Sequence, residues 1–252
     1  APILVIAPLL ASRRHVISSG EAAGPSGRDR AAHVRAAWLG VLGIAVVAPI
    51  LLPAGMWVLR RGLPSVMIAR LLSTFAFFGT TSFVPLFLVN ERGLSITVAG
   101  LILAIGSVGW ATGSWIQGNP RYDGHRERLI VLGGAGLLIG ILGCVATAAA
   151  GLPFWVVLAG VTVMGLGMGL TTATTSVLML ALSTPEQHGE SSTSLNLSDV
   201  LGSVLGIATG GAVFAALHTE AGADAPVFAL MWAVTALAAL VLMAAGLRIR
   251  RD

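Results

Sequence analysis

Residues 154–182 read FWVVLAGVTVMGLGMGLTTATTSVLMLAL, an unbroken apolar run without one charged side chain. At about 1.5 Å per helical residue, a run of this length exceeds the roughly 30 Å hydrocarbon core of a bilayer. It is far too long for a strand, and it stops at the turn signal Ser183-Thr184-Pro185. Reading outward, runs of the same character occupy 65–89, 95–117 and 129–150 before it, and 192–217 and 226–247 after it. Turn chemistry joins them: Asn90-Glu91-Arg92-Gly93, Gly118-Asn119-Pro120 and Gly151-Leu152-Pro153. The fold class that follows is all-α transmembrane, with one six-helix bundle over residues 60–252.

Composition agrees. Of 252 residues, 56% are hydrophobic and 10% charged, and mean hydropathy is +0.89. A soluble domain carries about 25% charged residues, because its surface must face water. The formal charge is +4, and every basic residue is Arg. These arginines sit in short clusters between apolar runs, as on the cytoplasmic flanks of membrane helices. No basic patch interleaved with aromatics points to nucleic acid. The one cysteine, Cys144, lies inside an apolar run and reads as a packing residue.

The N-terminal quarter is organised differently. Residues 1–11 are apolar without a charged leader or a cleavage signal, and read as the truncated end of a transmembrane helix. The chain is thus expected to be a piece of a longer protein. Residues 12–35 hold Ser, Gly, Pro, Arg13, Arg14, Arg28, Arg30 and Arg35 without apolar periodicity, and read as a flexible linker. Residues 36–59 read as an additional hydrophobic helix interrupted by Pro49 and Pro53.

Arginine sets the orientation. Arg60 and Arg61, then Arg121, Arg126 and Arg128, then Arg248, Arg250 and Arg251 fall on one side of a six-span bundle, which is assigned to the cytoplasm. The opposite side holds Glu91 with Arg92, an uncharged turn, and Glu220 with Asp224. If 36–59 also spans, the linker 12–35 falls outside, against the same rule. Three readings remove the conflict: a helix missing from the chain, a segment that does not cross fully, or a linker tolerated outside.

Four features carry candidate chemistry. Asp199 lies about two turns into the fifth span, where a carboxylate is costly unless paired or hydrated. It shares a face with Gly202, Gly206 and Gly210, a small-residue stripe suited to helix packing. The acid therefore points at protein or a cavity, either coupling protons or touching substrate, or else pairing structurally with a basic residue or helix end. Arg70 in the first span either snorkels to the interface or opens a partly polar stripe through Ser73, Thr74, Phe77 and Thr81 that lines a cavity. Thr171, Thr172, Thr174, Thr175 and Ser176 crowd one stretch of the fourth span, so some must face protein, unless they satisfy their own backbone. Trp110 and Trp115 in the second span are packing residues, interface anchors or cavity walls.

Enzyme signals are weak. Gly165, Gly167 and Gly169 lie within an apolar run rather than after a strand, so they form no dinucleotide fingerprint. His188, Ser191 and Asp199 are triad residue types without a triad pattern. The five histidines are dispersed. No catalytic residue, metal ligand or cofactor is assigned.

Arg61-Gly62-Leu63-Pro64 leading to Ala76-Phe77-Phe78-Gly79, then Arg92-Gly93-Leu94-Ser95, resembles actinobacterial drug-efflux-type members of the major facilitator superfamily. So do Gly109-Trp110-Ala111-Thr112-Gly113-Ser114-Trp115, Gly165-Leu166-Gly167-Met168-Gly169 and Leu195-Asn196-Leu197-Ser198-Asp199. The loop with Gly113, Asp123, Arg126 and Arg128 is similar to the second copy of that family's cytoplasmic loop motif.

The resemblance covers residues 36–250 and makes the six spans helices seven to twelve, the C-terminal half of the fold. It implies secondary transport of a small amphipathic molecule, coupled to protons, by rocking of two bundles about a central site. It also implies a missing N-terminal half as partner and the plasma membrane of a bacterium as location. The first and fourth spans would border the cavity, giving Arg70, Thr74, Phe77, Thr81, Trp110, Thr171, Thr174 and Thr175 as its candidate walls. Asp199 is the coupling or gating candidate, since an acidic loop of the other half would dock near 192–199. The sequence departs from the pattern at Thr80-Thr81-Ser82, where relatives often carry an acid, so the resemblance supplies no coupling acid on the first span. The competing readings are a membrane-embedded enzyme or complex subunit, which needs a clustered catalytic constellation, and a channel-like protein, which needs one long polar stripe.

Overall fold

The computed structural model describes residues 61–122, 124–218 and 224–249. The expectations for 1–11, 12–35 and 36–59, and for Asp123, Glu220, Arg250 and Arg251, lie outside the described residues. Among those residues the chain is all-helical. Its helices are α1 (Leu63–Thr81), α2 (Val84–Asn90), α3 (Ile96–Gln117), α4 (Arg126–Ala150), α5 (Phe154–Leu182), α6 (His188–Leu217) and α7 (Ala225–Arg248). Six spans are long and apolar enough to cross a membrane, with α1 and α2 together forming the first, Leu63–Asn90.

The joints follow local chemistry. After α2, Gly93 takes φ 64°; its N–H donates to Val89 O and that of Leu94 to Leu88 O. This pairing is a left-handed glycine cap that satisfies orphan carbonyls. Ser95 then caps α3, its hydroxyl accepting from Val98 N at 3.3 Å. Gly151, at φ 69°, ends α4, and Pro153 precedes the first residue of α5.

Two expectations on boundaries are corrected. The first span is not one helix: it breaks at Ser82 and Phe83. Pro85 has no N–H to give the Thr81 carbonyl, and its ring crowds that turn. Phe83 N closes onto Thr80 O instead, at 3.2 Å. The indole of Trp232 on α7 also donates to Thr80 O, at 3.2 Å, so the break is held by a neighbouring span. The helices of the fifth and third spans, α6 and α4, start earlier than expected, at His188 and Arg126. Hydropathy locates the hydrocarbon, whereas a helix continues into polar residues beyond it.

In the bundle, α5 packs against α3, α4 and α1, while α1 packs against α6 and α7, and α4 against α7. Exchanging the first three spans with the last three maps this pattern onto itself. Four helices, α1, α4, α5 and α7, form the centre, and α3 and α6 flank it. In lipid, close contact rather than hydrophobic exclusion drives such packing. Glycines provide it: Gly106, Gly109 and Gly113 of α3 lie on the α5 backbone, and Gly202 and Gly206 of α6 lie on that of α1. Gly210 meets the Phe83 ring. The outer faces of α3 and α6 expose Leu101, Ile105, Val108, Val200, Val204 and Ile207.

The start of α4 shares a cleft with the ends of α5 and α7, so the basic segments around Arg128 and Arg248 occupy one end of the bundle. Cysteines placed at Arg121, Arg128 and Arg248 are therefore expected to react with an impermeant thiol reagent from one side only. A cysteine at Glu91 is expected to react from the other. Reaction of the Arg128 and Arg248 positions from opposite sides would overturn this topology; Cys144 is buried and does not interfere.

Candidate functional site: a buried ion pair beside an aromatic cleft

Arg70 is introduced by the third turn of an apolar helix. Its side chain does not snorkel. Only 9% of its surface is exposed, and Nε donates to Asp199 Oδ1 at 2.6 Å. Nη1 donates to the Thr172 carbonyl at 2.7 Å and to Thr175 Oγ1 at 3.0 Å. One guanidinium thus ties α1 to α6 and to α5. Asp199 is 39% exposed, so its carboxylate touches Arg70 on one side and open space on the other.

The hydroxyl run on α5 serves two ends. Thr171 donates to Gly167 O at 2.9 Å, and Ser176 to Thr172 O at 3.2 Å, each within its own helix. Thr175 donates to the Thr171 and Thr172 carbonyls while accepting from Arg70. Thr174 is fully buried, and its Oγ1 has no partner among the described residues. On α1, Ser73 and Thr74 donate to the Arg70 carbonyl at 2.8 and 3.0 Å. The partners of the guanidinium itself are one carboxylate, one main-chain carbonyl and one hydroxyl.

About two turns along α1 from Arg70, a cleft of about 290 Å³ opens between α1, α3 and α5. Phe77, Thr81 and Ser82 form one wall, Leu103, Gly106, Ser107 and Trp110 the other, and Val161 the back. Phe77 meets Trp110 edge to face at 5.3 Å, the arrangement that ring quadrupoles favour. The lining is largely apolar with a few hydroxyls, which suits an amphipathic organic molecule.

Of the residues singled out in the sequence, Phe77, Thr81 and Trp110 come together in this cleft. Arg70, Thr175 and Asp199 come together in the ion pair. Thr74, Thr171 and Thr174 are buried between helices and line neither. Gly113 packs α3 on α5, away from the loop. Arg126 and Arg128 edge a separate cleft at the basic end. Leu103, Gly106 and Ser107 were not singled out, although they precede Trp110 at helical spacings of seven, four and three and so share its face. The Thr172 carbonyl, a main-chain group, had no sequence signal.

No protein-family model matches the chain, and no solved structure does. A tetracycline resistance determinant of Streptomyces rimosus is 30% identical over an alignment of 142 positions that covers 53% of this chain and 40% of that relative. The chain thus spans well under half of the relative's length. Six apolar helices and this likeness agree on one point. The chain is a multi-pass membrane protein. Among the described residues, no group of three or more His, Cys, Asp or Glu is placed to hold a metal ion.

Proposed function

We propose that the bundle is one half of a secondary transporter of the major facilitator type, which exports a small amphipathic molecule with proton coupling at the plasma membrane of a bacterium. The observation that carries this reading is the Arg70–Asp199 pair, charged groups set inside apolar spans next to an aromatic cleft. Ionisable residues at such depth are expensive and mark pathways. The tetracycline resistance determinant supports the direction, since removing a drug from the cell is one route to resistance to it.

In this mechanism the molecule lies against Phe77 and Trp110, with Thr81, Ser82 and Ser107 meeting its polar groups. A second six-helix bundle closes over the cleft from the α3 and α6 side. Asp199, part open to water, takes up the proton. Protonation neutralises the carboxylate that partners Arg70 and so loosens α6 from α1, which makes the hold between them depend on the proton. Transport then follows from rocking of the two bundles between states that bind drug and proton differently.

The test is efflux of tetracycline or a fluorescent amphipathic dye by the assembled transporter. Phe77→Ala and Trp110→Ala are each expected to raise the apparent KM about tenfold at unchanged surface expression, since one ring contact and its buried area are lost. Vesicles holding only residues 1–252 are expected not to export. Export by this chain alone, or unchanged kinetics in both ring variants, would overturn the reading.

A further inference from the structure

At the basic end of the bundle lies a cleft of about 580 Å³, separate from the ion pair and the aromatic cleft. Its rim is the start of α4, with His125, Arg126 and Arg128. Among the described residues Glu127 is the acid on that rim, beside the two guanidinium groups. Arg248, in the last turn of α7, adds positive charge at the same end. The floor is different in kind: Leu178 and Leu182 of α5, with Ile249 beyond α7. Leu180, on the same turn of α5, is half exposed on the bundle's outside.

A soluble anion would need the charges and gain nothing from the leucines. A cationic rim over an apolar floor, at the level where spans leave the hydrocarbon, fits a ligand with an anionic head and a hydrocarbon body. Basic pockets between transmembrane helices on the cytoplasmic side hold anionic headgroups for this reason. The position also has a structural consequence. The helices α5 and α7 both pack on α4 but scarcely on each other, so a molecule here bridges ends that the protein leaves unjoined.

We propose that this cleft binds the headgroup of an anionic phospholipid, its phosphate against Arg126 and Arg128 and its glycerol and first methylenes on Leu178 and Leu182. The inference rests on the reading that the six helices cross a membrane. That reading is checked separately by resistance of the protein to alkaline extraction from membranes.

The experiment uses the purified protein in detergent, titrated with phosphatidylglycerol or phosphatidylcholine of identical chains, with retained lipid counted by native mass spectrometry. Phosphatidylglycerol is expected to be retained in clear preference. Arg128→Gln, at an exposed position, is expected to cut that preference about fivefold, and Arg126→Gln with Arg128→Gln roughly 25-fold, since each cation near an anionic surface contributes about that factor. Arg121→Gln lies outside the cleft, where the side chain bonds Tyr122, and is expected to keep the preference. Equal retention of both lipids overturns the proposal. So does a preference unchanged in Arg128→Gln, or protection against thermal unfolding by inorganic phosphate equal to that by phosphatidylglycerol. Failure of alkaline resistance would strike the membrane reading instead.

Discussion

Asp199→Ala is expected to destabilise the bundle by about 3 kcal/mol, the scale for removing one partner of a buried charge pair. The cost arises at Arg70 rather than at Asp199. With the acid gone, the guanidinium, 9% exposed, would keep its charge with only the Thr172 carbonyl and Thr175 hydroxyl beside it. Asp199→Asn keeps an acceptor near Nε and is expected to lose less than half as much. Arg70→Met combined with Asp199→Leu is expected to recover most of the loss, because an apolar pair needs no compensation in lipid. Thermal unfolding in detergent measures all three. An Asp199→Ala protein within ~0.5 kcal/mol of the parent would sink the holding role of the Arg70–Asp199 pair, since that is the scatter of inconsequential substitutions. In the transporter proposed above, Asp199→Asn would further separate holding from coupling. Normal expression with pH-driven efflux lost fits proton uptake at Asp199. Normal expression with normal efflux removes Asp199 from coupling and leaves it the packing role.

Gly206→Val is the second large effect. A Cβ on Gly206 would fall against the Phe75 carbonyl and the Gly79 amide, both main-chain atoms of α1. Main chain in a helix cannot step aside, so α6 must move outward, and the loss is expected to exceed about 3 kcal/mol. It should also part Asp199 from Arg70, which lie on the same two helices. Gly211→Val is the control: its Cβ would meet only the Phe83 ring, at 4.0 Å, and its effect should stay under ~1 kcal/mol. Crosslinking between cysteines placed on α1 and α6 reads the separation directly. A Gly206→Val protein that unfolds and crosslinks like the Gly211→Val protein would show that this glycine stripe does not set the helix spacing.

Parts of both sites are legible along a single helix. Arg70, Phe77 and Thr81 recur at helical spacing on α1, as do Leu103, Ser107 and Trp110 on α3, so each wall of the aromatic cleft is written locally. What the period does not say is that the two walls face each other across α5. The hydroxyl run of α5 illustrates the same limit. Thr171 and Thr175 differ by one turn, yet one is spent on its own backbone against α4 while the other accepts from Arg70.

The sequence by itself determined the six spans found among the described residues, their class, and the end at which arginine collects. Those properties depend on local quantities: the length of an apolar run against bilayer thickness, the turn chemistry of Gly93, Gly151 and Pro153, and the charge of each loop. Tertiary structure alone decided that Arg70 is buried on Asp199, 129 positions away, and that Thr74, Thr171 and Thr174 close helix seams. The physical reason is rotational. A helix apolar on all sides carries no stripe to say which face turns inward, so its rotation is set only when glycine-lined backbones meet and charged groups find their partners.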